Sequence, residues 1–133
     1  MYVICCVDNR MGMRFNHRRQ SRDRILQDSL LTITAGHVLR MNAESFTLFE
    51  NCPGIAVSEK FLEEAGQQDF CFVEDPELLP PESEIEGVIL CRWNRDYPAD
   101  QFFPFSLSAW HLQFGEEFPG SSHEKLSVEV YVK

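Results

Sequence analysis

Residues 2–7, YVICCV, decide the fold class. All six residues are apolar, and four of them are β-branched or aromatic. A strand with one solvated face alternates apolar and polar residues, whereas an unbroken apolar run is typical of a strand covered on both faces within a central sheet. Covering both faces requires further layers, so this run predicts an α/β domain.

The residues that follow predict alternating helices and strands. The run ends in a turn at Asp8-Asn9-Arg10, and residues 16–19 are predicted as a loop. RDRILQDSLLTIT then has apolar residues at helical spacing, which predicts a helix from about Arg22 to Thr34 that ends at Gly36. Strands are predicted at 37–41, 55–58, 70–73 and 88–93, and short helical segments at 42–49 and 59–65. The acidic, proline-rich stretch 76–84 is predicted as an exposed connector.

The C-terminal third predicts an antiparallel hairpin. WHLQF (residues 110–114) is followed by a turn at Pro119-Gly120-Ser121 and then by KLSVEVYVK (residues 125–133). In that last run apolar and polar residues alternate, so that Leu126, Val128, Val130 and Val132 share one face. Together these elements predict one three-layer α/β domain over residues 1–133, with a central mixed sheet and this hairpin at its end.

Charge is distributed unevenly along the chain of 133 residues, whose net charge is −9. Residues 1–40 carry seven Arg against three Asp, a net +4, while residues 41–133 carry five basic against eighteen acidic residues, a net −13. An acidic surface disfavours general binding to nucleic acid or to anionic membranes, but a local arginine cluster still suits one anionic ligand. The apolar runs are far shorter than the ~18–20 residues that span a bilayer, so no membrane association is expected.

Cysteine and histidine usage gives no sign of a metal site. The five cysteines are an odd number, no C-x-x-C occurs, and the four histidines lack H-x-H or H-x-x-x-H spacing. Adjacent Cys5 and Cys6 point to opposite faces of their strand and are expected to pack as small apolar residues. Free cysteines fit a reducing compartment, so a cytoplasmic location is expected.

Five stretches of the chain resemble the dihydrofolate reductase family in the same order. They are CVDNRMGM (6–13), TAGHVLRMNAESFTLFE (34–50), ILCRWNRDYPADQFFPF (89–105), WHLQF (110–114) and SSHEKLSVEVYVK (121–133). The resemblance implies a dihydrofolate-reductase-like fold and, as one alternative, an NAD(P)H-dependent reductase. It also implies a substrate-binding carboxylate early in the first helix, for which Asp23 and Asp28 are the candidates.

The chain departs from the family where the family binds its cofactor. Reductases have Gly-Arg after the motif Met, and here Asn42-Ala43 follows Met41. Reductases also carry an extra strand, a Gly-Gly turn and a helix whose amides hold the cofactor pyrophosphate, and here only EDPELLPPESEIEG (74–87) occupies that interval. No cofactor is therefore predicted, and NADPH is disfavoured.

The chain also resembles short bacterial proteins described as ribonuclease Z. A metallo-β-lactamase-type nuclease needs an H-x-H-x-D-H cluster to hold its metals, and this sequence contains no H-x-H. The sequence therefore does not support that activity.

Six arginines between residues 10 and 24 define the candidate site, at the carboxyl end of the first strand where α/β folds place their pockets. We predict that residues 16–24, beginning at Asn16 and reached through Gly12, form an anion-binding rim over a cleft. Arg18, Arg19 and Arg22 are the predicted contacts, and Asp23 or Asp28 is predicted to orient a guanidinium or a ligand amine. The partner would be an anionic small molecule or a protein. The alternative is a solvated loop that balances the acidic remainder of the chain.

No catalytic residue is predicted. Residues 121–124, Ser-Ser-His-Glu, look like a reactive run, but they lie at the predicted hairpin turn. Hydroxyl groups at turns usually bond the local backbone, which is the interpretation favoured here.

Overall fold

The computed structural model describes residues 1–133, which form ten strands and two α-helices. The strands are Tyr2–Val7 (β1), Gly12–Phe15 (β2), Arg18–Arg19 (β3), Leu39–Met41 (β4), Ile55–Val57 (β5), Phe70–Phe72 (β6), Gly87–Arg92 (β7), Gln101–Phe102 (β8), His111–Phe118 (β9) and Leu126–Val132 (β10). The helices are Arg24–Ile33 (α1) and Ala43–Phe46 (α2).

A seven-stranded mixed sheet forms the centre of the molecule, in the order β5-β4-β6-β1-β7-β10-β9. β1 lies in the middle and pairs in parallel with both β6 and β7. β10 then pairs antiparallel with β7 on one side and with β9 on the other. The predicted mixed sheet and C-terminal hairpin are confirmed.

The core lies on both faces of the central strand. Val3, Cys5 and Val7 belong to one cluster of twelve buried residues, and Ile4 belongs to a second cluster on the opposite face. Leu26 and Leu30 of α1 cover the second face. Turns and loops cover the first face, through Phe61, Ile85, Phe103 and Trp110. The segment predicted as helical turns at 59–65 forms a series of turns, in which the Glu64 N–H bonds the Lys60 carbonyl with helical spacing, and it contributes the buried Phe61.

Residues 12–19 form a hairpin in place of the predicted loop at 16–19. β2 and β3 pair antiparallel with Arg14 opposite Arg19 and Phe15 opposite Arg18, and β8 pairs with the other edge of β2. Asn16 and His17 make the turn with φ of 52° and 61°. Two consecutive left-handed residues match the twist of a tight hairpin, and His17 is an unusual residue for the second position. The sequence at this turn therefore lacks the Asn-Gly or Asp-Gly pair that usually predicts a hairpin.

Helix α1 begins two residues later than predicted because Asp23 caps it. The Asp23 side chain accepts hydrogen bonds from the backbone N–H groups of Ile25 and Leu26, which satisfies donors that the first turn leaves free. Gly36 follows the helix with φ of 84°, a left-handed conformation that glycine adopts without strain.

The predicted connector at 76–84 contains two 3₁₀ turns, Pro76–Leu78 and Glu82–Glu84. Ile85, directly after it, is fully buried and fixes the connector to the core. None of the chain's helices has the length and apolar character that crossing a bilayer requires.

Candidate functional site

A cleft lies between α1 and the carboxyl ends of β1, β6 and β7. Its apolar lining consists mainly of Cys6, Leu26, Leu30, Phe49, Phe72 and Trp93. The space open to the centre of a water molecule is about 20 Å³, which suits about one water. The apolar interior therefore has no room for a molecule larger than water, and a ligand would have to bind at the rim of the cleft.

Cys6, on the floor of this cleft, is an unreactive thiol. Its pKa lies well above the ordinary value, first because of a hydrogen bond with Cys91 and then because of burial. Since the thiolate is the nucleophilic form, Cys6 contributes packing rather than chemistry.

Arg19 is held at the edge of the cleft by Glu74. Arg19 Nε donates to Glu74 Oε2 at 2.7 Å, and Arg19 Nη2 donates to Glu74 Oε1 at 2.9 Å. The hydroxyl of Ser45 adds a third bond to Glu74 at 2.8 Å. The hydrogen bond with Glu74 raises the pKa of Arg19. Arg19, one of the predicted ligand contacts, therefore has an internal partner.

Two further arginines of the cluster are also bonded within the chain. Arg14 is buried and donates to Glu44 Oε1 at 3.3 Å and to the carbonyl of His17. Arg10 donates to the carbonyl of Tyr97 at 3.3 Å. These side chains hold the 12–19 hairpin and the 95–100 loop in place.

The remaining three arginines of the cluster, Arg18, Arg22 and Arg24, are exposed and make no side-chain hydrogen bond or ion pair. Seven of the twelve basic side chains in the chain have an internal partner: Arg10, Arg14, Arg19, Arg40, Arg92, Lys125 and Lys133. Outside the cluster, only Lys60 and Arg95 are similarly free. Unpaired positive charge is thus concentrated in residues 18–24.

The structure divides the predicted rim into two grooves. Arg22 and Arg24 line an open groove of about 390 Å³ together with Gln27, Thr47, Ser121 and Ser122. Arg18 and Asn16 line another groove, of about 270 Å³, beside Tyr97 and Pro98. Arg18 and Arg22 therefore face different spaces, and Arg19 lies between them.

Gly12 and Asp28 do not reach either groove. Gly12 is buried, and a Cβ added there would lie 2.5 Å from the Cβ of Ala99 and 2.9 Å from Asp8 Oδ2. This glycine permits close packing instead of contacting a ligand. Asp28 is exposed on α1 and lines neither the cleft nor the two grooves. The alternative in which Asp28 faces the pocket is corrected, since Leu26, Gln27 and Leu30 occupy the inward side of the helix.

Asp23 binds the hairpin turn of the C-terminal strands. Its carboxylate accepts hydrogen bonds from the backbone N–H of Ser121 at 3.0 Å, from that of Ser122 at 2.9 Å, and from His123 Nδ1 at 3.0 Å, in addition to the helix amides. Burial opposes ionisation, but these hydrogen bonds together hold the pKa of Asp23 well below its usual range. The predicted role of Asp23, orienting a guanidinium, is replaced by this contact with His123 and the turn.

His123 extends this network to two hydroxyl groups. Its Nε2 lies 2.9 Å from the Tyr97 hydroxyl and 3.2 Å from Ser21 Oγ. The ring stacks on Trp93 with 4.8 Å between ring centroids. Sequence analysis placed His123 in a turn but did not connect it with Ser21 or Tyr97, because these contacts join residues up to 102 positions apart.

The surroundings of α2 do not fit a cofactor pyrophosphate. The N–H of Ala43 donates to Glu59 Oε2 at 2.9 Å, and the side chain of Asn42 accepts from the N–H of Ser45. A phosphate at the start of α2 would therefore have to displace the Glu59 carboxylate. No three His, Cys, Asp or Glu side chains lie where they could hold a metal ion together.

Comparisons with known proteins bear on the fold alone. No protein-family model and no curated protein sequence matches the chain. Among solved structures, the chain is similar to dihydrofolate reductase from Enterococcus faecalis complexed with NADP(H) and RAB-propyl. The TM-score is 0.69 at 11% sequence identity, covering 98% of this chain and 94% of that one. The predicted dihydrofolate-reductase-like fold is confirmed.

Proposed function

We propose that this dihydrofolate-reductase-like domain binds a small anionic ligand, bearing phosphate or carboxylate, without NADPH-dependent catalysis. The observation that carries the proposal is the pair of unpaired arginines, Arg22 and Arg24, beside the Ser121 and Ser122 side chains in one open groove. A planar guanidinium fork matches a phosphate or carboxylate, and each charge-assisted contact contributes roughly 1.5–3 kcal/mol. A groove of about 390 Å³ is in the size range of small-molecule sites, which favours a small ligand over a protein partner.

The second candidate is an NAD(P)H-dependent reductase, which the fold favours. Glu59 at the start of α2 argues against it, because its carboxylate already binds the Ala43 amide and would repel a pyrophosphate there. The position of Asp23 is a second argument, since its oxygens are engaged by the hairpin turn and α1.

A cytoplasmic setting is part of the proposal. All five cysteines are free, and Cys5, Cys71 and Cys91 are buried. Burial raises the pKa of Cys71 to about 11, so this thiol stays protonated and inert.

Thermal unfolding in the presence of inorganic phosphate, citrate and AMP tests the proposal. A ligand at ~100 times its dissociation constant adds ~2.7 kcal/mol of stability. We expect at least one of these anions to stabilise the wild-type protein, and the R22Q/R24Q variant to lose that effect. Arg95 is also exposed and unpaired, so Arg95→Gln is the matched control and should respond like wild type. Equal loss in both variants, or no response to any anion, would contradict the proposal.

NADPH titration separates the two candidates. NADPH is itself a phosphate anion, so weak binding that disappears in R22Q/R24Q is consistent with the arginine groove. Saturable binding near micromolar that survives in R22Q/R24Q would instead support the reductase.

A further inference from the structure

Ser21, His123 and Asp23 form a hydrogen-bonded series beside the arginine groove. Ser21 Oγ lies 3.2 Å from His123 Nε2, and His123 Nδ1 lies 3.0 Å from Asp23 Oδ2. The His123 and Asp23 side chains are 1% and 0% exposed, while Ser21 is partly exposed and lines the cleft. The order of atoms is that of a serine, a general base and the carboxylate that orients the base.

The surroundings of His123 fix both its orientation and its tautomer. Trp93 stacks on the ring with an interplanar angle of 21°, which sets the ring plane. Asp23, ionised and engaged by four backbone N–H groups, can only accept from Nδ1. The proton of neutral His123 therefore lies on Nδ1, and Nε2 is left to accept a proton from a hydroxyl.

We propose that Ser21 is a nucleophile for acyl transfer, with His123 as its general base and Asp23 as the positioning residue. The substrate class is an ester or thioester of a small anionic acid. Its negative charge would bind Arg22 or Arg24, a detail that rests on the proposed anion-binding function.

The reaction balances without any cofactor. Ser21 Oγ bonds to the acyl carbon while its proton passes to His123 Nε2. The bond to the leaving alcohol or thiol then breaks, and the leaving group takes that proton from His123. A water molecule next attacks the acyl-serine and gives its proton to His123. That proton returns to Ser21 as the free acid departs.

Candidate donors for the developing oxyanion lie in the segment before α1. The backbone N–H groups of Ser21 and Arg22 make no hydrogen bond within the protein. The N–H of the residue after a nucleophile commonly serves this role, and an unpaired guanidinium on Arg22 adds positive charge beside it.

The contacts of Tyr97 support a competing explanation, in which the network around His123 is purely structural. Its hydroxyl lies 2.9 Å from His123 Nε2 and also donates to Ser21 Oγ at 3.3 Å. A network that only fastens the hairpin turn to α1 would contain these same bonds, but its serine would have no unusual reactivity. The reactivity of the Ser21 hydroxyl therefore distinguishes the catalytic explanation from the structural one.

A fluorophosphonate probe measures that reactivity without knowledge of the substrate. We expect one covalent adduct on the folded wild-type protein, mapped to Ser21 by peptide mass spectrometry and abolished in Ser21→Ala. Ser21 is partly exposed, so this variant should fold, which circular dichroism would verify. Ser108→Ala, which removes an exposed hydroxyl outside the network, should still be labelled at Ser21. The inference is overturned if the wild-type protein is not labelled, or if labelling persists in Ser21→Ala.

Two chromogenic esters test the substrate class. We expect mono-p-nitrophenyl succinate to be hydrolysed faster than p-nitrophenyl acetate, both rates to fall at least about 100-fold in Ser21→Ala, and the preference to disappear in R22Q/R24Q. Ser21→Ala should keep the anion-dependent stabilisation proposed above. Absence of labelling in the wild-type protein, with its anion binding intact, would therefore overturn the acyl-transfer inference alone. Labelling of Ser21 without anion binding would overturn the proposed function and the substrate class.

Discussion

Arg19 forms a two-bond ion pair with Glu74, with Nε–Oε2 and Nη2–Oε1 distances of 2.7 and 2.9 Å, while its neighbour Arg18 has no partner. The two residues form strand β3, in which successive side chains point to opposite sides. One arginine therefore faces the cleft and the other faces solvent. Adjacent, identical residues have different roles because of strand geometry.

Replacing Arg19 should destabilise the protein, and replacing Arg18 should not. Arg19→Gln leaves Glu74, whose side chain is 11% exposed, without its charged partner. We expect the free energy of unfolding to fall by about 1.5–3 kcal/mol in urea denaturation. Arg18→Gln, the matched control, should change it by less than about 0.5 kcal/mol. Similar losses in both variants would show that net charge, rather than this ion pair, sets the effect.

The parts of the fold that sequence analysis predicted correctly are those encoded locally. β1 and β7 are apolar runs, and β10 alternates apolar and polar residues. Each pattern indicates whether one face of the strand or both faces are covered. The β2–β3 hairpin was missed because its turn residues, Asn16 and His17, are not the usual Asn-Gly pair. Its stability depends on pairing with β8, more than eighty residues later.

The candidate site was predictable in position but not in its contacts. The arginine cluster lies near the carboxyl end of β1, where the sequence places it, yet which arginines are free depends on distant carboxylates such as Glu74. The contact between Ser21 and His123 spans 102 positions and has no local signature. Such relationships arise only when the sheet brings the start of α1 against the turn before β10.

Asp23 should contribute strongly to stability, whereas Asp28 should not. Asp23→Asn keeps the shape but replaces one acceptor oxygen by an amide that faces buried N–H donors. The Asn oxygen can still cap α1, so the lost bonds are those that Oδ2 accepts from the Ser122 N–H and His123 Nδ1. Each unpaired buried donor costs ~1–3 kcal/mol, so we expect a loss of about 2–4 kcal/mol. Asp28 is exposed on the same helix, and Asp28→Asn should stay within about 0.5 kcal/mol of wild type in urea denaturation. A similar loss from Asp28→Asn would contradict the prediction.

Acid should remove the contribution of Asp23. The pKa of Asp23 in the folded protein lies below the value of about 3.9 in an unfolded chain. The unfolded state therefore takes up the proton first as the pH falls, which favours unfolding. The stabilisation is fully present above about pH 5 and declines as the pH falls toward the folded pKa.

Urea denaturation between pH 6 and pH 3 measures this dependence. The difference in unfolding free energy between wild type and Asp23→Asn should be largest at pH 6 and shrink at pH 3. Asp69 shares this dependence, because hydrogen bonds from the Gly66 N–H and Arg40 lower its pKa. The wild-type curve will therefore contain both contributions, and the difference between the two proteins removes that of Asp69. A difference that stays constant with pH would contradict the assigned role of the charge.

A methyl group at position 120 should disturb the same contact from the side of the turn. A Cβ on Gly120 would lie 2.4 Å from Asp23 Oδ2 and 2.8 Å from Leu126 Cδ1. The carboxylate cannot move aside without breaking its bonds to the turn amides and to His123, so Gly120→Ala should cost about 1–3 kcal/mol. Gly115 in β9 has open space around its Cβ position, and Gly115→Ala should be neutral or stabilise by up to about 1 kcal/mol. Thermal unfolding of the two variants gives the comparison. Unfolding of Gly120→Ala at the wild-type temperature would contradict this prediction. It would show that the turn can shift away from Asp23 at little cost.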